Sequence, residues 1–265
     1  MIRVAAAQYL LQKHSSFEGW QHSVESWVRE AVENKATLLV FPEYGSMELV
    51  SLMKEATQQD AKAQVRELDK MKDKFLETYQ ELARKYQCAI VAPSIPVQNE
   101  HGAFVNRSFF VGPSGGVGVQ DKKNVTKLEE ELWGIVSGGN AFNVFETRLG
   151  DMAVCMSTDV EYPGPAASMT AEGAKILLAP SRSESQIDCN RVHLGARARA
   201  MENNVFVIVS QLLGKAPWTA TVTENTGYAA IYSPLEEGHP EDGIQAKGTL
   251  NEPGWLYSEI NHSPS

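Results

Sequence analysis

The sequence is poor in cysteine and lacks the cysteine spacings that metal and disulfide folds need. Only Cys88, Cys155 and Cys189 occur in 265 residues, and no two of them form a C-x-x-C pair. This scarcity argues against a disulfide framework and against a zinc site. Unpaired thiols of this kind are typical of the reducing cytoplasm, where we expect the protein to reside.

Long hydrophobic runs and positive charge are also scarce. No apolar stretch approaches the ~20 residues of a membrane-spanning helix, and the chain begins with the pattern of a strand rather than that of a signal peptide. Lys and Arg number 24 against 33 Asp and Glu, a net charge of −9, and no basic patch carries interleaved aromatic residues. We therefore expect no membrane partner and no nucleic-acid partner.

Short apolar runs alternate with helical patterns along most of the chain. Thr37–Phe41 and Lys175–Pro180 are continuous apolar runs, typical of strands buried on both faces. Ser16–Lys35 has apolar residues at helical spacing. The alternation occurs once before about Gly112 and again after about Phe142, without a low-complexity linker between. We predict a single α/β domain over residues 1–265 with layered sheets.

Three further segments have less regular patterns. Glu48–Ala83 is polar and charged, and its apolar stripe predicts two helices. His193–Asn203 predicts one helix. The tail from Gly238 is rich in turn residues, and we expect Gln245–Tyr257 to pack over a sheet edge or over a neighbouring subunit.

The stretch Met152–Pro163 has the pattern of a buried strand that runs into a tight turn. Ala153, Cys155 and Ser157 fall on one face of this strand, and large apolar residues fall on the other. A side chain at such a strand end is held rigidly beside the N–H groups of the turn, where acyl-transfer enzymes place a nucleophile. Ser157 is the candidate, although no Gly-x-Ser-x-Gly motif surrounds it.

Two charged residues follow other predicted strands. Glu43 comes just after the run Thr37–Phe41, and Lys122 follows the predicted strand Val117–Asp121. Together with Ser157 they could supply a carboxylate base, a cation and a nucleophile to one pocket. Taken separately, Glu43 and Lys122 are also consistent with ordinary solvated charges.

Three short motifs resemble the signatures of the nitrilase superfamily of carbon–nitrogen hydrolases. They are Phe41-Pro42-Glu43-Tyr44, Asp121-Lys122 followed by Thr126 and Glu129, and Thr158-Asp159-Val160-Glu161-Tyr162-Pro163. Two later blocks, which begin at Gly195 and Gly227, are also similar to the family. The resemblance runs from Ile2 to about Leu235, and the shared order of the blocks makes it specific.

This resemblance implies a fold and a catalytic set. The fold is a four-layer α-β-β-α sandwich, and the set is Glu-Lys-Cys, with no metal and no cofactor. By their positions in the motifs, Glu43 would be the general base and Lys122 would stabilise the oxyanion of a tetrahedral intermediate. Lys123 is the alternative for the lysine. The resemblance also implies homodimers or larger homo-oligomers.

Further site residues follow from the same comparison of motifs. Glu129 would orient the catalytic lysine, with Glu130 as the alternative. The backbone N–H of Thr158 would help to bind the oxyanion. Trp133 would line the mouth of the pocket or pack on the sandwich edge, and Arg182 lies in a loop where substrate contacts are expected.

The chain departs from the family at the nucleophile. The family has cysteine where this chain has Ser157, followed by Thr158-Asp159 and Pro163. Cys155 is two residues too early for that spacing. Three explanations remain open: an introduced replacement of cysteine, a natural member that lacks the thiol, and a nucleophilic role for Cys155.

The resemblance implies an amidase that cleaves a small linear carboxamide to an acid and ammonia through a thioester. A serine hydroxyl is much harder to deprotonate than a thiol. We therefore expect the chain to bind substrate but to turn it over very slowly or not at all. The alternatives are a naturally non-catalytic binding or scaffold protein of the same fold, and a nitrilase.

Overall fold

The computed structural model describes residues 1–261, in which strands and helices alternate. The helices are α1 (Phe17–Glu33), α2 (Glu55–Gln58), α3 (Ala61–Tyr86), α4 (Thr158–Glu161), α5 (Pro163–Ala171) and α6 (Gln186–Asn203). A 3₁₀ helix at Gly45–Leu52 and a π-helical turn at Leu128–Trp133 complete the helical segments of residues 1–261. The strands are β1 (Ile2–Leu10), β2 (Leu38–Val40), β3 (Ala89–Val91), β4 (Ile95–Gln98), β5 (Phe104–Val111), β6 (Val117–Asp121), β7 (Val144–Phe145), β8 (Met152–Val154), β9 (Ile176–Ser181), β10 (Phe206–Lys215), β11 (Glu224–Asn225), β12 (Ala230–Tyr232), β13 (Ile244–Lys247) and β14 (Gly254–Ile260).

The strands form two halves that are joined at β1 and β10. The order along the hydrogen-bonded path is β4-β5-β3-β2-β1-β10-β9-β8-β7. Parallel pairing connects the inner strands of each half, as in β1 with β2 and β10 with β9. The halves meet where Gln8–Leu10 of β1 pairs with residues 211–213 of β10. The carboxyl ends of the inner strands therefore lie near one another, where the loops that follow them can form a site.

Three clusters of buried side chains separate four layers. The central cluster joins the facing sides of the two halves, with Val4, Leu38 and Val91 from one half and Val154, Leu178 and Ile208 from the other. A second cluster packs α1 and α3 on the outer side of the first half through Val24, Val28, Leu68 and Phe75. A third packs α5 and α6 on the outer side of the second half through Ala166, Met169, Val192 and Ala196. The predicted four-layer α-β-β-α sandwich is confirmed.

The strand β8 shows why the alternation predicted from the sequence produces this layering. Ala153 and Cys155 belong to the outer cluster beneath the helices, whereas Val154 and Met156 belong to the central cluster between the sheets. Side chains on the two sides of a strand face different layers because successive residues point in opposite directions. Small residues on the helix side allow α4 and α6 to approach the strand closely.

The helix bounds differ from the predictions at two places. Within Glu48–Ala83, where two helices were predicted, the end of the 3₁₀ helix and the one-turn α2 precede a single 26-residue α3. Helix α3 begins where the Asp60 side chain accepts a hydrogen bond from the Ala63 N–H. Helix α6 begins at Gln186 rather than at His193, because a Ser185 capping box starts the helix earlier.

The C-terminal tail is more regular than its turn-rich composition predicted. It contributes β13 and β14, and the whole of β14 pairs antiparallel with β1, from Ile2 opposite Ile260 to Gln8 opposite Gly254. Within Gln245–Tyr257, residues 254–257 thus pair with β1 and residues 245–247 lie in β13, which pairs with β12, so both ends of the stretch belong to the chain's own sheet. Strand β4 was not predicted; its Pro96 is tolerated because β4 lies at the end of the strand order.

Among residues 1–261, no helix combines the length and the apolar composition that crossing a membrane requires.

Gly195 provides a test of how closely α6 packs against α4. A Cβ atom at this position would lie 2.7 Å from the Val160 carbonyl oxygen and 2.8 Å from Glu161 Cα. We expect Gly195→Ala to lower the free energy of unfolding by about 1–3 kcal/mol, because the helix must move away from α4. Denaturant unfolding followed by circular dichroism measures this change.

Gly164 supplies the matched control for this substitution. It lies in α5, and a Cβ atom there would meet nothing within 4 Å. We expect Gly164→Ala to be neutral or to stabilise the protein by up to about 1 kcal/mol, since alanine favours the helix. Equal stabilities for the two variants would contradict the close approach of α6 and α4.

Candidate active site

Ser157 occupies a strained turn between β8 and α4. Its backbone has φ 43° and ψ −111°, a region that residues other than glycine rarely adopt. The Ser157 N–H donates to the Pro180 carbonyl at 3.1 Å, and the Ser157 carbonyl accepts from the Val160 N–H at 3.0 Å. Such a conformation costs roughly 1–3 kcal/mol and persists where the surrounding structure holds it. The turn directs the Ser157 side chain into the pocket described below.

Glu43 lies in the turn that follows β2, and its neighbours on both sides are anchored. The Phe41 carbonyl accepts a hydrogen bond from the Ser210 hydroxyl at 2.9 Å. Tyr44 has a left-handed backbone with φ 59°, and its N–H donates to Ser94 Oγ at 2.9 Å. These contacts fix the turn, so the Glu43 carboxyl group is held within the interior, 1% exposed.

The Lys122 ammonium is buried between two carboxylates. Its Nζ donates to Glu43 Oε1 at 2.8 Å, to Glu129 Oε1 at 2.8 Å and to Glu129 Oε2 at 2.9 Å. The three side chains are each no more than 3% exposed. All three donors of the ammonium are therefore used within the site.

Glu129 is anchored by two further donors. The Thr126 N–H donates to Glu129 Oε2 at 2.7 Å, and the Tyr44 hydroxyl donates to Oε1 at 2.6 Å. The π-helical turn Leu128–Trp133 carries this carboxylate inward, and Trp133 packs edge-on against the Tyr44 ring. The position of Glu129 is thus fixed by several elements at once.

The three charges shift one another's pKa values in different directions. Burial raises the pKa of Glu43 above its usual value, and the attraction of Lys122 does not cancel this effect. Burial alone would also raise the pKa of Glu129, but Lys122 and the hydrogen bonds from Thr126 and Tyr44 lower it overall. Burial alone would lower the pKa of Lys122, but the two carboxylates outweigh burial and raise it. Glu129 and Lys122 therefore stay charged, and Glu43 is the group suited to exchange a proton.

Asp159 joins the lysine loop to the serine turn. Its carboxylate accepts hydrogen bonds from the Lys123 N–H at 3.1 Å and from the Asn124 N–H at 2.7 Å. The Asn124 side-chain amide adds a third bond at 2.9 Å. The sequence showed Asp159 only as part of the motif that begins at Thr158 and gave it no role in the site, because its partners lie in a loop distant along the chain.

A pocket of about 230 Å³ connects these groups to solvent. Its lining residues are Glu43, Tyr44, Lys122, Thr126, Leu128, Glu129, Ser157, Thr158, Glu161, Arg182, Glu184, Asp188 and Val192. The Ser157 hydroxyl donates to the Arg182 carbonyl at 3.4 Å, and, against the larger effect of burial, its proximity to Glu43 lowers the pKa of that carboxyl group. A carboxyl group, an ammonium and a hydroxyl thus converge on one small space, an arrangement that can transfer a proton and stabilise a developing negative charge.

A family model described as carbon-nitrogen hydrolase matches residues 3–238. The chain belongs to the carbon-nitrogen hydrolase family.

A curated relative is similar to most of this chain. The chain is 29% identical over 250 residues to the probable hydrolase YhcX of Bacillus subtilis, a match that covers 94% of this chain and 48% of the relative. The chain therefore spans about half the length of that relative.

Two solved structures share the fold at low sequence identity. A carbon-nitrogen hydrolase from Helicobacter pylori G27 has a TM-score of 0.79 at 18% identity and covers 97% of this chain and 88% of its own. An amidase mutant from Nesterenkonia sp. AN1, in complex with acrylamide, has a TM-score of 0.76 at 18% identity, with coverages of 98% and 90%. At 18% identity, the similarity to these two structures shows a shared fold.

The residues predicted to bind substrate occupy different places in this family fold. Thr158 and Arg182 line the pocket, whereas Trp133 is 2% exposed and is not among the lining residues. The Arg182 guanidinium lies 5.6 Å from the centre of the Trp133 ring and donates to Asn225 Oδ1 at 3.0 Å. Its Nη2 also pairs with Glu184 at 2.6 Å. The protein itself therefore engages much of the hydrogen-bonding capacity of Arg182.

The alternatives left open from the sequence lie outside this constellation. The Lys123 ammonium lies 5.1 Å from the centre of the Phe142 ring rather than between the carboxylates. Glu130 is exposed and is absent from the lining of the pocket. Cys155 is completely buried, and burial followed by the charge of Asp159 raises the pKa of its thiol well above the usual value. A thiol in this state carries little thiolate near neutral pH.

Within residues 1–261, no group of three or more His, Cys, Asp or Glu side chains is placed to hold a metal ion.

Removing the Lys122 ammonium tests the buried ion cluster. We expect Lys122→Met to lower the free energy of unfolding by about 3–5 kcal/mol at neutral pH, because two buried carboxyl groups lose their cation. Without it, the folded-state pKa values of Glu43 and Glu129 rise above their unfolded value of about 4.3. The loss should therefore grow as the pH rises above this value and be smallest near pH 4.

Lys123→Met is the matched control for this prediction. The Lys123 side chain contacts the Phe142 ring but neither carboxylate, so we expect a change of less than about 1 kcal/mol with little pH dependence. Urea unfolding at several pH values measures both variants. Equal and pH-independent losses would show that the ion cluster does not stabilise the fold in this way.

Proposed function

We propose that the chain is an amidase-type carbon-nitrogen hydrolase for a small linear carboxamide, with Ser157 in the place of the nucleophile. The observation that supports this proposal is the convergence of Glu43, Lys122 and Ser157 on one pocket of about 230 Å³. A pocket of this size suits a short acyl chain. Because Arg182 is already paired with Glu184, we expect an uncharged acyl group rather than one that ends in a carboxylate.

The proposed chemistry assigns a separate role to each group. The nucleophile at position 157 attacks the amide carbon, and Glu43 accepts the proton that it loses. The positive charge of Lys122 stabilises the oxyanion while its own donors stay with Glu43 and Glu129, and the Thr158 N–H donates to it. Within residues 1–261 this N–H donates no other hydrogen bond. Glu43 then gives its proton to the departing nitrogen, so that ammonia leaves and an acyl-enzyme remains. Water activated by Glu43 cleaves the acyl bond and restores the free nucleophile.

Serine at position 157 limits this reaction at its first step, the attack on the amide carbon. The thiol of cysteine, with a pKa of about 8.5, can reach the thiolate near neutral pH beside a base and a cation. A serine hydroxyl needs a much stronger base than a single carboxylate. We therefore propose that the chain binds its amide but hydrolyses it very slowly or not at all.

The Ser157→Cys variant tests the proposed function. We expect it to release ammonia from a panel of small amides and to gain the mass of an acyl group on the new cysteine. Intact-protein and peptide mass spectrometry after rapid acid quenching identify the modified residue and the size of the group. Nitriles belong in the same panel, because an acyl adduct from nitriles alone would favour a nitrilase.

Two controls separate the new cysteine from the native one. The unaltered chain should gain no adduct, and Ser157→Cys combined with Cys155→Ala should keep the activity, because Cys155 is buried outside the pocket. Loss of activity in the double variant, with its fold intact, would assign the reaction to Cys155. Neither ammonia nor adduct from any form would favour a non-catalytic binding protein of the same fold.

We also propose that the protein forms homodimers or larger homo-oligomers in the cytoplasm, as the family resemblance implies. Helix α6 exposes large apolar side chains at seven-residue intervals, namely Ile187, Leu194 and Met201. If this stripe supports self-association, Leu194→Glu should lower the mass measured by light scattering. Leu250→Glu, which changes an exposed leucine outside the stripe, should not. An unchanged mass for both variants would exclude the stripe.

A further inference from the structure

We infer that Asn106 is a positioning residue that determines which carboxylate oxygen of Glu43 acts as the base toward position 157. Its catalytic consequence rests on the proposed function, but the positioning itself can be measured without turnover. The inference comes from a buried amide that contacts Glu43 with one end and has no partner at the other.

Asn106 lies within β5 and is completely buried. Its Nδ2 donates to Glu43 Oε1 at 2.9 Å, and the Lys122 ammonium donates to the same oxygen at 2.8 Å. The Asn106 backbone carbonyl also accepts the Lys122 N–H at 2.9 Å. One residue therefore holds both the glutamate and the lysine of the site.

The two donors make the oxygens of Glu43 unequal. Oε1 accepts two hydrogen bonds, so its lone pairs are engaged and its affinity for a proton is reduced. Glu43 Oε2 accepts neither of these bonds and is therefore the oxygen open to the side chain at position 157, whose hydroxyl donates to the Arg182 carbonyl at 3.4 Å. The proton from position 157 should therefore move to Oε2, the oxygen without a competing donor in residues 1–261.

The other end of the amide supports a role beyond packing. Asn106 Oδ1 is buried and has no hydrogen-bond partner among residues 1–261. An unsatisfied buried acceptor costs about 1–3 kcal/mol, and an apolar side chain would avoid that cost. The opposite orientation of the amide would place Oδ1 against the Glu43 carboxylate, where two acceptors repel. Asn106 thus carries an unpaired amide oxygen that lowers stability, and the same amide supplies the Nδ2 donor to Glu43.

The charged and titratable groups around Glu43 determine the expected effect. They are Lys122 after β6, Glu129 on the π-helical turn and the hydroxyl of Tyr44, with the side chain at position 157 as the remaining neighbour. A donor to a carboxylate favours the ionised form. Removing the Asn106 donor should therefore raise the pH at which Glu43 loses its proton, while Lys122 and Glu129 remain in place.

The test measures the reactivity of a cysteine at position 157. Ser157→Cys and Ser157→Cys with Asn106→Leu are treated with iodoacetamide from pH 4 to 9, and alkylation of that cysteine is followed by peptide mass spectrometry. We expect the acid limb of the rate profile to move up by about 1 pH unit in the double variant, since a charge-assisted hydrogen bond is lost. At pH values below this limb, the double variant should be alkylated about 10-fold more slowly than Ser157→Cys alone.

Two further variants keep the test interpretable. Ser108 is the next residue on the same face of β5, and its hydroxyl is also buried without a partner in residues 1–261, but it does not contact Glu43. Ser108→Ala should leave the profile unchanged. Asn106→Ser retains a donor in a smaller side chain and should shift the limb less than Asn106→Leu. Unfolding curves for each variant establish that the comparison is made on folded protein.

The outcomes separate this inference from the proposed function. An acid limb that does not move in folded Asn106→Leu protein would overturn the positioning role, whether or not amides are hydrolysed. A shifted limb in protein that hydrolyses no amide would support the positioning role and count against the amidase. If amides are hydrolysed, the acid limb of kcat/KM should shift in parallel with that of alkylation.

Discussion

The buried ammonium of Lys122 is the interaction on which the site depends. It carries a positive charge into the interior, and only the two carboxylates at 2.8 Å make that burial tolerable. The three charged residues come from different segments of the first half of the sandwich: Glu43 follows β2, Lys122 follows β6, and Glu129 lies in the π-helical turn. The ion cluster therefore requires that the turn after β2, the loop after β6 and the π-helical turn meet at one point.

The two glutamates are unequal because their partners are unequal. Glu129 accepts bonds from Lys122, the Thr126 N–H and the Tyr44 hydroxyl, and its pKa is lowered. The hydrogen bonds that Lys122 and Asn106 donate to Glu43 reach a single oxygen, and burial raises the pKa of Glu43. With both carboxylates ionised the cluster has an excess of one negative charge, so the first proton to bind goes to Glu43.

Much of the fold could be predicted because the decisive signals are local. Continuous apolar runs predicted the inner strands, and the alternation along β8 predicted which residues share a face of the strand. The pairing of β14 with β1 joins opposite ends of the chain, and no local pattern contains it. The start of α6 could have been predicted from the sequence, because Ser185 and Asp188 have the three-residue spacing of a helix capping box.

The site was less predictable, because its supporting contacts cross between elements. A glutamate after a strand suggests a base, but the choice between Lys122 and Lys123 depends on the register of β6 beside β5. Asp121 pairs opposite Arg107 and forms an ion pair with it, so the next residue turns to the other side, toward Glu43. Asn106 had a weaker signal, a polar residue at a buried position of a largely apolar strand.

The strained turn at Ser157 connects these features to chemistry. A backbone φ of 43° at a serine, a lysine buried between carboxylates and an unpaired amide oxygen at Asn106 are each unfavourable for stability alone. Ser157 and Lys122 line one pocket, and Asn106 donates to Glu43 in the wall of the same pocket. Serine and cysteine differ little in size, so exchanging one for the other at position 157 changes the acidity of this side chain and leaves the geometry intact. Under the proposed function, binding and turnover are therefore separated by a single atom, the oxygen or sulfur at the end of that side chain.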